Sequence, residues 1–218
     1  MEVLIAMGAF IASHVLIART RLKPALIARF GERAYLTAYS ALSLLLLGWV
    51  IWAVLTADRS PLWATPGWAY VFAVILSLVG FILIGIGVMM SNPLSISFRH
   101  TGFDPSRPGA IGWVHHPLIW GLTLWALAHI PSNGDWPSLV LFAGSAAFGA
   151  IGVYAVGSRL KRRLGEDEWR RLSAGHGHID RWSLIGAALG VGLWLVFLAI
   201  HPILFGANPL AILLAQLS

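Results

Sequence analysis

Five histidines stand out in a chain with few other ionisable groups inside its apolar stretches: His14, His115, His116, His129 and His201. Three of them share one segment, residues 113–136, which reads WVHHPLIWGLTLWALAHIPSNGDW. A histidine within an apolar span is costly, so it faces a partner, a cavity or a metal. The chain has no cysteine, which excludes disulfides, thiolate-bound metals, iron–sulfur clusters and covalently attached c-type haem. Imidazole is then the strongest ligand type available, and its neutral form binds iron well. Haem held without covalent attachment, between histidines of facing helices, is the chemistry this set suits best. A histidine at the end of a span can instead reach water or a backbone carbonyl, a role that needs no cofactor.

Those residues must be positioned by membrane helices. Of 218 residues, 58% are hydrophobic and 11% are charged, and the mean hydropathy is +0.77. A soluble domain carries about 25% charged residues, and several runs here exceed the roughly 18 apolar residues of a membrane span. The composition predicts an all-α polytopic membrane helix bundle, a single domain over residues 1–218. Six spans are expected, at about 2–18, 34–57, 67–90, 114–131, 136–159 and 183–205. Glu2 is the only early charge, so the first stretch lacks the cationic start of a cleavable signal and is expected to stay as a helix.

Charge sets the expected orientation. The first, third and fifth connections hold fourteen of the fifteen Lys and Arg residues. Basic loops stay on the cytoplasmic side, so both termini are expected outside. The net charge of +6 thus reports topology and attraction to anionic lipid, and gives no reason to expect nucleic acid. Residues 19–33 alternate basic and apolar side chains, with Leu22, Leu26, Ile27 and Phe30 on one face, which predicts an interfacial helix. Residues 160–182 form an expected cytoplasmic, partly helical, solvated loop. Its His176 and His178 with Asp180 offer a metal only a sparse ligand set. Residues 206–218 are expected to be an apolar tail on the outer side, with Pro202 and Pro209 interrupting helix.

Trp63, Trp68, Trp113, Trp136 and Trp182 fall at span ends, as aromatic belts require. Trp120, Trp125 and Trp194 lie deeper, in core packing or along a cofactor. Gly80, Gly85 and Gly87, Ser145 and Gly149, and Gly186 and Gly190 allow close helix approach, within the chain or in a homo-oligomer.

Depth sorts the histidines into two layers. His14, His115 and His116 lie toward the inner side, and His129 and His201 toward the outer. If 114–131 is one helix, His115 and His129 are nearly four turns apart on one face, about 21 Å along the axis. One haem, or two stacked, is accommodated by such layers. Asn133 and Asp135 follow at once, either to orient the loop beside His129 or to cap the next helix.

The segment HPLIWGLTLWALAHIPSNGDWPSLVLF, with its HPxxxG, WALAH and NGD, resembles the signature of the NnrU membrane proteins. The opening, His14 followed by RLKPALIARFGERAYLTAYSALSL, and the closing HPILFGANPL resemble it as well. That family is similar to 15-cis-ζ-carotene isomerase, a haem b membrane enzyme, and its bacterial members are linked with denitrification. The resemblance implies a bacterial inner-membrane protein acting on an apolar, carotenoid-like, or gaseous substrate. It places the haem ligands on His14 and His129, with His116 as a third functional histidine, whereas depth pairs His14 with His115 or His116. The isomerases are thought to use a thiol as an alternate iron ligand, and this chain has none. HPxxxG is also similar to the cofactor motif of isoprenylcysteine methyltransferases, but the Arg usual before HP is His115 here. A methyltransferase with its cofactor near His115, His116 and Gly121 is therefore the alternative enzyme. A non-catalytic accessory factor for respiratory enzymes is the alternative without chemistry.

Overall fold

The computed structural model describes residues 1–20, 22–99 and 101–217. Arg21 of the expected interfacial segment and Ser218 of the expected tail lie outside the described residues. Those described are all-α: α1 (Glu2–Arg19), α2 (Leu22–Phe30), α3 (Glu32–Thr56), α4 (Trp68–Met89), α5 (Pro117–His129), α6 (Trp136–Leu164), α7 (Glu166–Ser173), α8 (Arg181–Phe205) and α9 (Pro209–Leu217), with a 3₁₀ turn at Gly109–Gly112. They form two compact units, residues 1–64 with 134–144, and residues 65–133 with 145–218.

This is a helical membrane protein. α3, α4, α6 and α8 are long and apolar enough to cross a bilayer, and the bent pair Glu2–Ile17 and Leu22–Phe30 passes if taken as one span. Their surfaces say the same: Leu44, Leu45 and Ile151 are each about two-thirds exposed, which suits hydrocarbon and not water.

The expected first span, α1, passes only together with α2, and the expected fourth falls short. Residues 114–131 contain a helix of only 13 residues, α5, preceded by the 3₁₀ turn. At about 1.5 Å per residue it is roughly 20 Å long, short of the ~30 Å hydrocarbon core. Pro117 takes the first helical position, where its missing N–H does no harm. His116 is the N-cap, and His115 precedes the helix. The common helical face proposed for His115 and His129 therefore does not exist.

In the first unit α1 runs antiparallel to α3. The Trp49 indole donates to the Glu2 carboxylate at 3.0 Å, and the His14 and Tyr39 rings meet edge-on at 5.5 Å. Leu62 N–H donates to the Gly134 carbonyl at 2.7 Å. The Asp135 carboxylate accepts from Ser138 N–H at 2.9 Å and Ser138 Oγ at 3.0 Å. Arg59 lies 3.4 Å from the same carboxylate. Asp135 is thus the cap of α6, one of its two expected roles. Asp135→Ala should lower stability by about 1–2 kcal/mol and Asp135→Asn by less, read from the thermal unfolding midpoint in detergent.

In the second unit α4 is flanked by α5 and α8, both antiparallel to it. A Cβ on Gly80 would sit 2.7 Å from the Gly121 oxygen, and one on Gly121 2.5 Å from the Gly80 oxygen. Gly87 lies on the backbone of Leu118 in the same way. On the other flank Gly85 packs on Gly186 and Gly190, Gly190 packs on Phe81 and Ile82, and the Trp194 indole donates to Ser77 at 3.1 Å. The glycines Gly80, Gly85, Gly87, Gly186 and Gly190 serve these contacts within the chain. Gly149 faces Thr123 and Gly157 faces His116, so the later part of α6 follows α5 in the opposite direction.

The third and fifth connections meet at one end of this unit. His178 N–H donates to the Gly109 carbonyl at 3.2 Å, and Gly177 backs onto the Trp113 ring. Asp180 caps α8 through Ser183 N–H at 2.7 Å, while Ser183 Oγ accepts from Ala110 N–H at 3.0 Å. The HGH stretch is therefore docked on the 3₁₀ turn, not solvated throughout, and Asp180 is a cap. α7 carries the solvated part, with Glu166 paired to Lys161 and Arg170, and Glu168 to Arg171. Pro202 does not interrupt α8. The helix continues through it to a left-handed Gly206 at φ 72°. Pro209 instead opens α9, which touches α4 and α8.

Candidate functional site

His14 sits on α1 between two rings. Phe10 lies 4.6 Å away between centroids, and Tyr39 closes the other side at 5.5 Å. Its Nδ1 is 2.8 Å from the Phe10 carbonyl, one turn back. From α3's start at Glu32, Tyr39 is seven residues along, so His14 lies about 10 Å inside that end.

His129 ends α5 and repeats the arrangement. Its Nδ1 is 2.7 Å from the Trp125 carbonyl, and the Trp125 ring packs beside it at 5.2 Å. Asn133 Nδ2 donates to the His129 carbonyl at 2.8 Å and Ser132 Oγ to the same oxygen at 3.2 Å, so the helix end is held. Asn133 therefore orients the loop beside His129, the other of the two expected roles. Continuing the register of Gly80 against Gly121 and Trp125 puts His129 at the level of Ile75 on α4. Trp68 opens α4 seven residues further out, so His129 is recessed by about 10 Å. His201 lies nearer that end, its Nδ1 2.9 Å from the Ala207 carbonyl.

One chemical property unites His14, His129 and His201. A carbonyl only accepts, so each Nδ1 carries the hydrogen. In the neutral ring that leaves the lone pair on Nε2. A histidine prepared to bind a metal is held in this way, its tautomer fixed by an outer hydrogen bond. Among the described residues no three His, Asp or Glu side chains converge on one point. A metal that brings its own equatorial ligands, as haem does, needs no such cluster.

His115 and His116 are set differently. The His116 ring is buried, with Nδ1 2.8 Å from Ser95 Oγ and Nε2 over Gly157, where a Cβ would come within 3.1 Å. The His115 carbonyl accepts from Asn92 Nδ2 at 2.8 Å. Both residues line a cleft of ≈ 430 Å³ with Trp113, Trp120, Leu83 and Leu124.

Residues 2–209 match the model of the family described as NnrU protein. The chain belongs to the NnrU family. No curated protein and no solved structure matches it. In this NnrU-family chain the glycine of HPxxxG, Gly121, packs on Gly80.

Asn92, Ser95 and Ser97 were not among the expected site residues. Asn92 is 3% exposed and also accepts from Leu94 N–H at 2.9 Å, while Ser97 Oγ accepts from Asn92 N–H at 3.2 Å. The only sequence signal was an Asn-Pro pair just after an apolar span. Asn92→Ala should cost about 1–3 kcal/mol by leaving buried backbone groups unpaired, measured by thermal unfolding.

Proposed function

We propose that this chain is a haem b-binding, multi-pass protein of the bacterial inner membrane, with His14 and His129 offering imidazole to iron. The observation that supports it is the shared Nδ1–H to carbonyl bond, which leaves a lone pair on each Nε2 at membrane depth. The donor set fits haem b in chemistry as well, since the chain has imidazoles for axial ligands and no thiols for covalent attachment. When bound, haem b would supply an iron that binds a small gas such as nitric oxide, or shares electron density with a conjugated double bond.

The chain's own residues do the rest. Phe10 and Tyr39 keep water from the His14 ring, and Trp125 shields one side of His129. Asn133 and Ser132 fix the helix end that carries His129, so the imidazole does not swing. A membrane-dissolved substrate, carotenoid-like or gaseous, reaches recessed imidazoles from the hydrocarbon, which suits cis–trans isomerisation or redox chemistry in the setting of denitrification. The visible spectrum of the detergent-purified protein, expressed with ample haem precursor, tests this proposal. A Soret band that shifts on reduction and on adding nitric oxide is expected, and a colourless protein overturns it.

A further inference from the structure

The cleft at the start of α5 lies apart from the proposed iron ligands and has its own chemistry. It is an open cleft that runs from Trp113 and His115 past His116 and Trp120 to Leu83 and Leu124, with a volume of ≈ 430 Å³. From His116 to Leu124 is eight residues of α5, or about 12 Å, so one end is polar and aromatic and the other is hydrocarbon. The His115 ring makes no hydrogen bond among the described residues: its partner Asn92 takes the backbone carbonyl. The residue is half-buried and lines the cleft, and in the neutral form its ring carries one donor and one acceptor.

Two indoles offer flat faces beside it, Trp120 being 38% and Trp113 60% exposed. Among the described residues, no Lys, Arg, Asp or Glu lines the cleft. Arg99 is engaged elsewhere, over the Trp182 ring at 4.3 Å. A phosphate headgroup would need a cationic partner in the lining. The neutral lining favours a neutral head, the indoles favour a flat one, and the leucines favour an apolar tail.

We propose that this cleft binds a neutral, membrane-dissolved molecule of the quinone class. Its carbonyl accepts from the His115 imidazole, its ring lies against Trp120, and its tail follows Leu83 and Leu124. Such a site would place a two-electron carrier in the same chain as the proposed haem without depending on that haem.

The test uses the full chain in phosphatidylcholine nanodiscs, titrated with decylubiquinone and followed by tryptophan fluorescence at equal haem content. Saturable quenching is expected, part of it lost in Trp120→Phe. His115→Ala should weaken binding about tenfold, equivalent to ~1.4 kcal/mol, while His115→Gln, which keeps a donor, retains most of it. Leu124→Trp should abolish binding by filling the cleft. If that variant does not fold, the His115 pair carries the test, because the His115 ring makes no hydrogen bond among the described residues. Absence of saturation, unchanged affinity in His115→Ala, or equal displacement by anionic phosphatidylglycerol overturns the proposal. None of these outcomes bears on whether the protein binds haem.

Discussion

Gly190→Val should abolish the recovery of folded, monodisperse protein, whereas Gly192→Ala, two residues along the same helix, should leave recovery unchanged. A Cβ on Gly190 would lie 2.6 Å from the Ile82 Cα and 2.7 Å from the Phe81 carbonyl carbon. Both are backbone atoms of α4, so no side chain can rotate out of the way. Overpacking a core costs about 1–3 kcal/mol when side chains can adjust, and here the helices themselves must separate. Separation would also part Gly85 from Gly186 and Trp194 from Ser77, so the loss is cooperative. Gly192 has nothing within 4 Å, and alanine there gains roughly 0.5–1 kcal/mol of helix preference. Size-exclusion profiles and unfolding midpoints of the two variants read the contrast. A folded Gly190→Val protein with an unchanged midpoint would mean that α4 and α8 do not pack as described.

His14→Ala and His129→Ala should each lower bound haem by about 10-fold or more, a loss at least as large as removing an outer partner of a metal site produces. Neither change should unfold the protein, since the Nδ1 bond to a carbonyl that each deletes lies within one turn of the same helix. His201→Ala should keep its haem. His201 shares the tautomer of the other two but stands nearer the end of its helix, with Nδ1 tied to the Ala207 turn. Haem per protein, measured beside the unfolding midpoint, separates ligand loss from collapse. Full haem in both His14→Ala and His129→Ala would remove these residues from the iron.

Much of the fold was legible because a bilayer imposes few solutions. Long apolar runs and the uneven placement of Lys and Arg were enough to mark helices and to group the third and fifth connections, which do meet through His178 and Gly109. The start of α5 was legible in part. Pro117 signals a helix start, yet Trp113 and Val114 continue the apolar run, so hydropathy alone extended the span back over His115. That error created a shared face for His115 and His129 which the 3₁₀ turn removes. The recess of His129 was not legible, because it depends on how Gly80 and Gly121 set the register between two helices. Asn92 was hidden for a similar reason. Its partner, the His115 carbonyl, is remote in sequence and belongs to the backbone, and no residue pattern announces such a bond. The ligand-ready tautomer of His14 and His129 follows from helix geometry once both residues are known to be helical, and it sharpens the role that composition alone assigned to histidine.

The central claim is that this NnrU-family chain carries haem b on membrane histidines, and a pyridine haemochrome assay on the purified protein tests it most directly. The expected result is the b-type spectrum, with haem extracted completely by acidic acetone, because no cysteine is present to tether it. No haemochrome from protein expressed with ample haem, or one that His14→Ala and His129→Ala both leave at full intensity, would contradict it.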